Sequence, residues 1–134
     1  LEDSCVDFVM TFEELHSVFT AAQIDPKTCA ESEIKTPASA EGRGFGSSGG
    51  VAKAVVAASA NREIRTACIN GTSKAEIARM RAYAKQGAPF DLIEVMTCPG
   101  GCYNGAGVYC RDKSAKERLD KFIAESKPME QNRE

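Results

Sequence analysis

The sequence predicts an α/β domain, a small and mainly parallel sheet of three to four strands flanked by about four helices. Three observations carry that expectation. Short apolar runs rich in β-branched residues alternate with longer amphipathic stretches. Two of those stretches open on a hydroxyl residue followed three positions later by Glu, Thr11 with Glu14 and Ser73 with Glu76, the signature of a helix capping box. Finally, strands separated by helices need crossover connections, which pair them in parallel and with right-handed chirality.

Taken in order, residues 6–10 (VDFVM) form an apolar run of strand length. Thr11 then caps a helix whose stripe of Phe12, Leu15, Phe19 and Ala22 is spaced to lie on the sheet, and Asp25-Pro26 ends it. Residues 27–44 are polar and aperiodic, the pattern of a long irregular loop. The glycine-rich GFGSSGG leads into an alanine-rich helix over residues 50–60. Residues 62–69 alternate as a strand, Asn70-Gly71 turns the chain, and a helix runs from Ser73 to about Gln86, stopped by Gly87 and Pro89. Residues 90–96 (FDLIEVM) read as a further strand. A charged helix over residues 114–126 turns Leu119, Phe122 and Ile123 inward. Residues 1–126 thus make one domain, with residues 127–134 a tail that has nothing to bury and should fray.

Composition narrows the function. A chain of 134 residues can bury roughly two thirds of the surface its unfolded form exposes, so its six cysteines are not needed as disulfide staples. They read as reduced thiols, and with no charged-then-apolar leader in the sequence the expected setting is cytoplasmic. A pI near 5.5 argues against nucleic-acid binding by phosphate neutralisation, and no apolar run reaches the length of a membrane span. Charge is uneven: residues 1–41 hold nine acids and two bases, and the remainder holds ten acids and fifteen bases. The acidic start is expected to fold onto the basic helices, with an acidic docking face for a redox partner as the alternative.

The strongest chemical signal is TCPGGCYNGAGVYC, residues 97–110. Cys98 and Cys102 leave a strand end together, and the Pro-Gly-Gly between them lets backbone N–H groups approach a common object. Ligands of open α/β sheets collect beyond the carboxyl ends of strands, where this loop falls. Spacing alone leaves four readings open: an iron–sulfur ligand pair, a redox dithiol, half of a zinc site, or inert thiols in a glycine turn.

Residues 93–105, IEVMTCPGGCYNG, resemble the third cysteine motif of iron-only (FeFe) hydrogenases, of general form E-V-M-A-C-P-G-G-C-x-x-G-G-G-Q-P. Other stretches agree in order. CVDFVMTFEELHSVFTAAQID resembles the family's D-V-D-x-V-L-T-T-R-E-L segment, GFGSSGGVAKAV its x-F-G-x-T-G-G-V-x-E-A, and the stretch from Ile64 to Gly87 the strand and helix that precede the last motif. The likeness covers roughly residues 4 to 107.

That resemblance implies a [4Fe–4S] cluster joined through a cysteine to a di-iron unit carrying CO, CN and a dithiolate bridge, together the H-cluster, held by four cysteines of which this motif supplies two. Carried across, Cys98 matches the cubane ligand and Cys102 the bridging cysteine. Met96 matches a methionine beside the di-iron unit and Phe45 an aromatic of its pocket, although both positions would also suit ordinary core residues. The implied reaction is reversible H₂ oxidation, with electrons exchanged with a ferredoxin-like carrier.

Departures from the pattern matter as much. The motifs T-S-C and M-P-C-x-x-K-x-x-E are absent, and the likeness begins just after the place where the second would stand. The chain is therefore expected to be the C-terminal portion of such a protein, partnered by its N-terminal part, inactive alone and holding no cluster by itself. Where many members read G-G-G-Q-P, this chain has Gly105, Ala106, Gly107, Val108 and Tyr109, followed by an extra Cys110. Two alternatives stand beside the hydrogenase reading: a redox- or H₂-sensing iron–sulfur domain, and a thiol–disulfide protein using Cys98 and Cys102.

Weaker signals take simpler readings. Gly44-x-Gly46-x-x-Gly49 spells a dinucleotide fingerprint but follows a polar loop and not a strand. Asn70-Gly71-Thr72 is a turn before it is a glycosylation sequon. His16 is expected to be partly buried beside the first helix's apolar stripe, and Lys74, Arg79, Arg81 and Lys85 to form a solvated helix face.

Overall fold

A computed structural model describes residues 5–32, 38–59, 63–109 and 114–129. Two strands, β1 (Thr66–Asn70) and β2 (Leu92–Met96), pair in parallel, with Thr66 opposite Leu92 and Asn70 opposite Met96. Helix α4 (Lys74–Gln86) makes the crossover between them. The strands end level, so the turn after Asn70 and the loop after Met96 leave the sheet side by side. The Gly71 amide donates to the Met96 carbonyl at 2.7 Å and fastens the two exits together.

The helices are α1 (Phe12–Ala21), α2 (Ala40–Arg43), α3 (Gly50–Ala58), α4 and α5 (Ser114–Ala124), with short 3₁₀ turns at Gly44–Gly46 and Cys102–Asn104. The buried core is narrow. It holds Ala52 and Ala54 of α3 and Ile69 of β1, which is fully enclosed, and small residues let the helix lie close to its neighbours. Opposite them, α5 covers the 44–46 turn: Leu119 reaches within 3.4 Å of where a Cβ on Gly46 would stand. Arg43 of α2 stacks its guanidinium 3.8 Å over the Phe122 ring and donates to Ser126 Oγ at 2.7 Å.

Both α-helical cap signals are present, unequally. Thr11 and Glu14 form a full capping box, the Thr11 amide donating to Glu14 Oε2 at 2.6 Å and the Glu14 amide to Thr11 Oγ1 at 3.2 Å. The Thr11 backbone bond, then its hydroxyl, holds the Glu14 carboxyl below the ordinary carboxylate value. At α4, Ser73 Oγ accepts from the Glu76 amide at 3.2 Å, while the Glu76 carboxylate pairs with Arg79 at 2.7 Å.

Several expectations are corrected. Residues 6–10 belong to neither strand, so the described sheet has two strands and not three or four. An apolar run specifies a strand only where an edge is offered to it, and Phe8 and Val9 are 85% and 90% exposed. Nor does α1 lie on the sheet: it has no buried residue, and Phe12 and Val18 are exposed. Its ties run to the far loop instead, the Phe12 amide donating to the Gly107 carbonyl at 3.0 Å. His16 is exposed, with its ring 4.6 Å from that of Tyr109.

The polar stretch before residue 44 contains α2, capped by Ser39, whose Oγ accepts from the Gly42 amide at 3.0 Å; four residues are too few to show periodicity. Arg79 turns inward to donate to the Cys68 carbonyl and so is not part of a solvated face. Phe122 is half-exposed, roofed by Arg43 and not buried under α5. Residues 127–129, assigned to the tail, carry two bonds back to α2: the Ala40 amide donates to the Lys127 carbonyl, and the Met129 amide to Glu41 Oε2, both at 2.8 Å. Residues 130–134 and Cys110 lie outside the described residues. No helix among the described residues is long and apolar enough to cross a membrane.

Candidate iron–sulfur site

The site is built from two loops pressed together at the carboxyl end of the sheet. β2 delivers Met96, half-buried, at its last position, and the chain turns at once through Pro99, Gly100 and Gly101 into the 3₁₀ turn that begins at Cys102. Gly100 and Gly101 have φ of +87° and +120°, backbone that a side chain would strain. The loop is bonded internally, Gly101 N–H to the Cys98 carbonyl and Gly105 N–H to the Cys102 carbonyl, each at 3.0 Å. It is also bonded to its neighbours: the Gly100 amide donates to Asn70 Oδ1 at 2.7 Å, and the Ser48 amide to the Gly100 carbonyl at 2.8 Å.

Close contact explains the glycines more than flexibility does. A Cβ on Gly101 would overlap the Gly46 carbonyl oxygen and come within 2.8 Å of Ser47 Cα and of the Ser48 amide nitrogen. A Cβ on Gly50 would overlap the Gly44 carbonyl group. The backbone of residues 44–50, which carries Phe45, therefore sits directly on the backbone of the cysteine loop.

Of the residues singled out from the sequence, Cys98 is half-buried and Cys102 exposed. Gly105 leaves open the space beside Cys98 Sγ, which lies 3.4 Å from where its Cβ would be, with the Cys102 carbonyl at 3.1 Å. Phe45 is 48% exposed on the neighbouring loop. The fold thus gathers the segments of Met96, Cys98, Cys102 and Phe45 at one end of the molecule. Among the described residues, no group of three or more His, Cys, Asp or Glu side chains could hold a metal ion.

Two residues escaped the sequence reading. Glu94, 9% exposed, stands in the middle of β2 and accepts from the Gly49 amide through Oε1 at 2.9 Å and from the Ala52 amide through Oε2 at 2.8 Å. It supplies the cap that Gly49, at φ +85°, has no side chain to provide. A lone acid between Ile93 and Val95 was the available signal. Cys68 faces the same way from β1, its thiol sharing a 3.0 Å hydrogen bond with the Ser48 hydroxyl.

Residues 1–106 match the family described as "Iron only hydrogenase large subunit, C-terminal domain". The chain belongs to that family. It is also similar to the cytosolic Fe-S cluster assembly factor nar1 of Aspergillus oryzae, 43% identical over 44 residues, a stretch that covers 33% of this chain and 7% of that protein. Membership in the iron-only hydrogenase family brings an iron–sulfur role with it.

The residues present suit such a group in part. Cys98 and Cys102 share one loop, the softness of thiolate matches iron, and glycine at 100, 101 and 105 keeps side chains off the surface around them. They amount to half a donor set. A neighbouring cleft of about 640 Å³ is lined by Ser48, Asn70, Gly100 and Tyr103 and by neither cysteine.

Proposed function

We propose that this chain forms one wall of an H-cluster site, with Cys98 and Cys102 as two of the four cysteine ligands of a [4Fe–4S] and di-iron assembly whose remaining ligands come from the N-terminal part of the same protein. The observation that carries this reading is the seating of Gly101 beneath the 46–48 backbone, which joins the two-thiol loop and the Phe45 loop into one surface. When bound, the group would supply reversible electron and proton exchange with H₂. The residues of this chain would hold and shield: the two thiolates anchor, Met96 and Phe45 offer apolar contact, and the glycines keep side chains off the space around the sulfurs.

The exposed apolar residues Val6, Phe8, Val9 and Phe12 fit a surface that the N-terminal part covers. A ferredoxin-like carrier would be the electron partner, in the cytoplasm, where thiols stay reduced. A second reading, cluster holding or sensing without turnover, is favoured by the run Gly105, Ala106, Gly107, Val108 and Tyr109 in place of G-G-G-Q-P, and by the likeness to a protein named as an Fe-S cluster assembly factor.

Anaerobic reconstitution with ferrous iron and sulfide tests the ligand assignment. The chain alone should take up iron substoichiometrically, and Cys98→Ala and Cys102→Ala should each abolish uptake. A stoichiometric [4Fe–4S] spectrum indifferent to both substitutions would overturn it. Hydrogen uptake by the longer protein separates the turnover reading from the sensing one.

A further inference from the structure

We infer that Glu94 is a positioning residue: its buried carboxylate, by gripping the first turn of α3, holds the 44–50 loop and the cysteine loop in one fixed arrangement. The inference rests on the ligand role proposed for Cys98 and Cys102.

Glu94 lies on β2 four residues before Cys98, so its backbone is continuous with the strand that aims the thiol loop. Its two oxygens take the amides of Gly49 and Ala52, 45 and 42 residues away in sequence. Those amides belong to the first turn of a helix, where N–H groups have no intrahelical acceptor, and an anion there also meets the positive end of the helix dipole. Among the described residues, the same two segments are also linked by the Ser48 to Gly100 amide bond and the Gly101 contact. Those are short-range and depend on the two backbones being correctly spaced, and the carboxylate sets that spacing. Asn70 acts in the same sense from β1 by holding Gly100.

The metal-free chain suffices for the test, through site-resolved alkylation of cysteines by iodoacetamide and amide hydrogen exchange. Glu94→Gln keeps the shape but replaces one accepting oxygen with a donating NH₂. It should raise the labelling rate of half-buried Cys98, and the exchange of the Ser48, Gly49 and Ala52 amides, roughly tenfold, the factor that accompanies loss of one hydrogen bond to a charged group. Exposed Cys29 should be unchanged. Glu94→Asp keeps the charge but is one methylene short and should behave like the Gln variant.

Ile69→Val is the control for mere destabilisation and should leave Cys98 labelling as it was. Should neither Glu94 variant fold, the unmodified protein still decides: first-turn amides normally exchange freely, so Gly49 and Ala52 exchanging at unprotected rates would overturn the inference. Unchanged Cys98 labelling in folded Glu94→Gln overturns it as well. Neither outcome depends on iron. Iron uptake that survives Cys98→Ala would remove the ligand assignment and leave the Glu94 result readable on its own.

Discussion

Residues 5–32 and residues 38–109 carry the same kinds of local signal and end in opposite states. The first region has the better-formed cap, a reciprocal box at Thr11 and Glu14, yet α1 has no buried residue, with Phe12 and Val18 exposed. In the second, the box at Ser73 is one-sided, and α4 is fastened by Arg79 reaching the Cys68 carbonyl of the preceding strand. A cap decides whether a helix forms, and a partner decides whether it is buried. The second region has its partners within the chain, and they converge on the cysteine loop.

The contrast predicts an order of mutational effects. Gly101→Ala should cost most, roughly 3–5 kcal/mol, because strained backbone at φ +120° adds to overlap with the 46–48 backbone. Gly87→Ala, also at positive φ but with nothing within 4 Å, should lose only about 1 kcal/mol. Urea unfolding of the two variants measures the difference, and equal losses would mean that the two loops are not in contact.

Next, Ile69→Ala should lose about 3 kcal/mol as a fully enclosed side chain, against less than about 0.5 kcal/mol for Phe12→Ala at 63% exposure. A comparable loss at Phe12 would show that α1 packs in solution. Thr11→Ala should cost about 1 kcal/mol, confined to α1: hydrogen exchange should quicken there while the Ile69 amide keeps its protection.

The smallest effect concerns pH. Hydrogen bonds from the Arg65 guanidinium and then the Arg65 amide hold the Asp91 carboxyl down to about 2. A depressed folded value means that the contribution is complete above the ordinary carboxylate value and is lost as pH falls through about 2. The pair is exposed, so the contribution is slight. Melting temperatures of wild type and Asp91→Asn should differ a little at neutral pH and converge near pH 2.

Legibility followed the same division. Features encoded within a few residues were readable: the limits of α4, the cap of α1, the Asn70-Gly71 turn and the strand ahead of Cys98 all lie where the sequence placed them. The segments of Met96, Cys98, Cys102 and Phe45 were picked out by their likeness to family motifs, which are short local patterns too. Whatever needed a distant partner was not. Residues 6–10 had strand composition without an edge to join, and α2 was hidden in a polar stretch because its support is Arg43 on Phe122. Glu94 looked like an ordinary charge, for its acceptors meet amides some 45 residues earlier in the chain.

That last separation also orders events during synthesis. When residues 50–58 emerge, the start of α3 has a glycine at its cap and lacks the carboxylate that takes the Gly49 and Ala52 amides. They stay open until residue 94 is made, and the 46–48 backbone has nothing to rest on until residue 101 follows. The two loops therefore take their joint shape late and as one unit, so that a nascent chain ending before residue 94 carries Phe45 and its glycines but not the loop on which they rest.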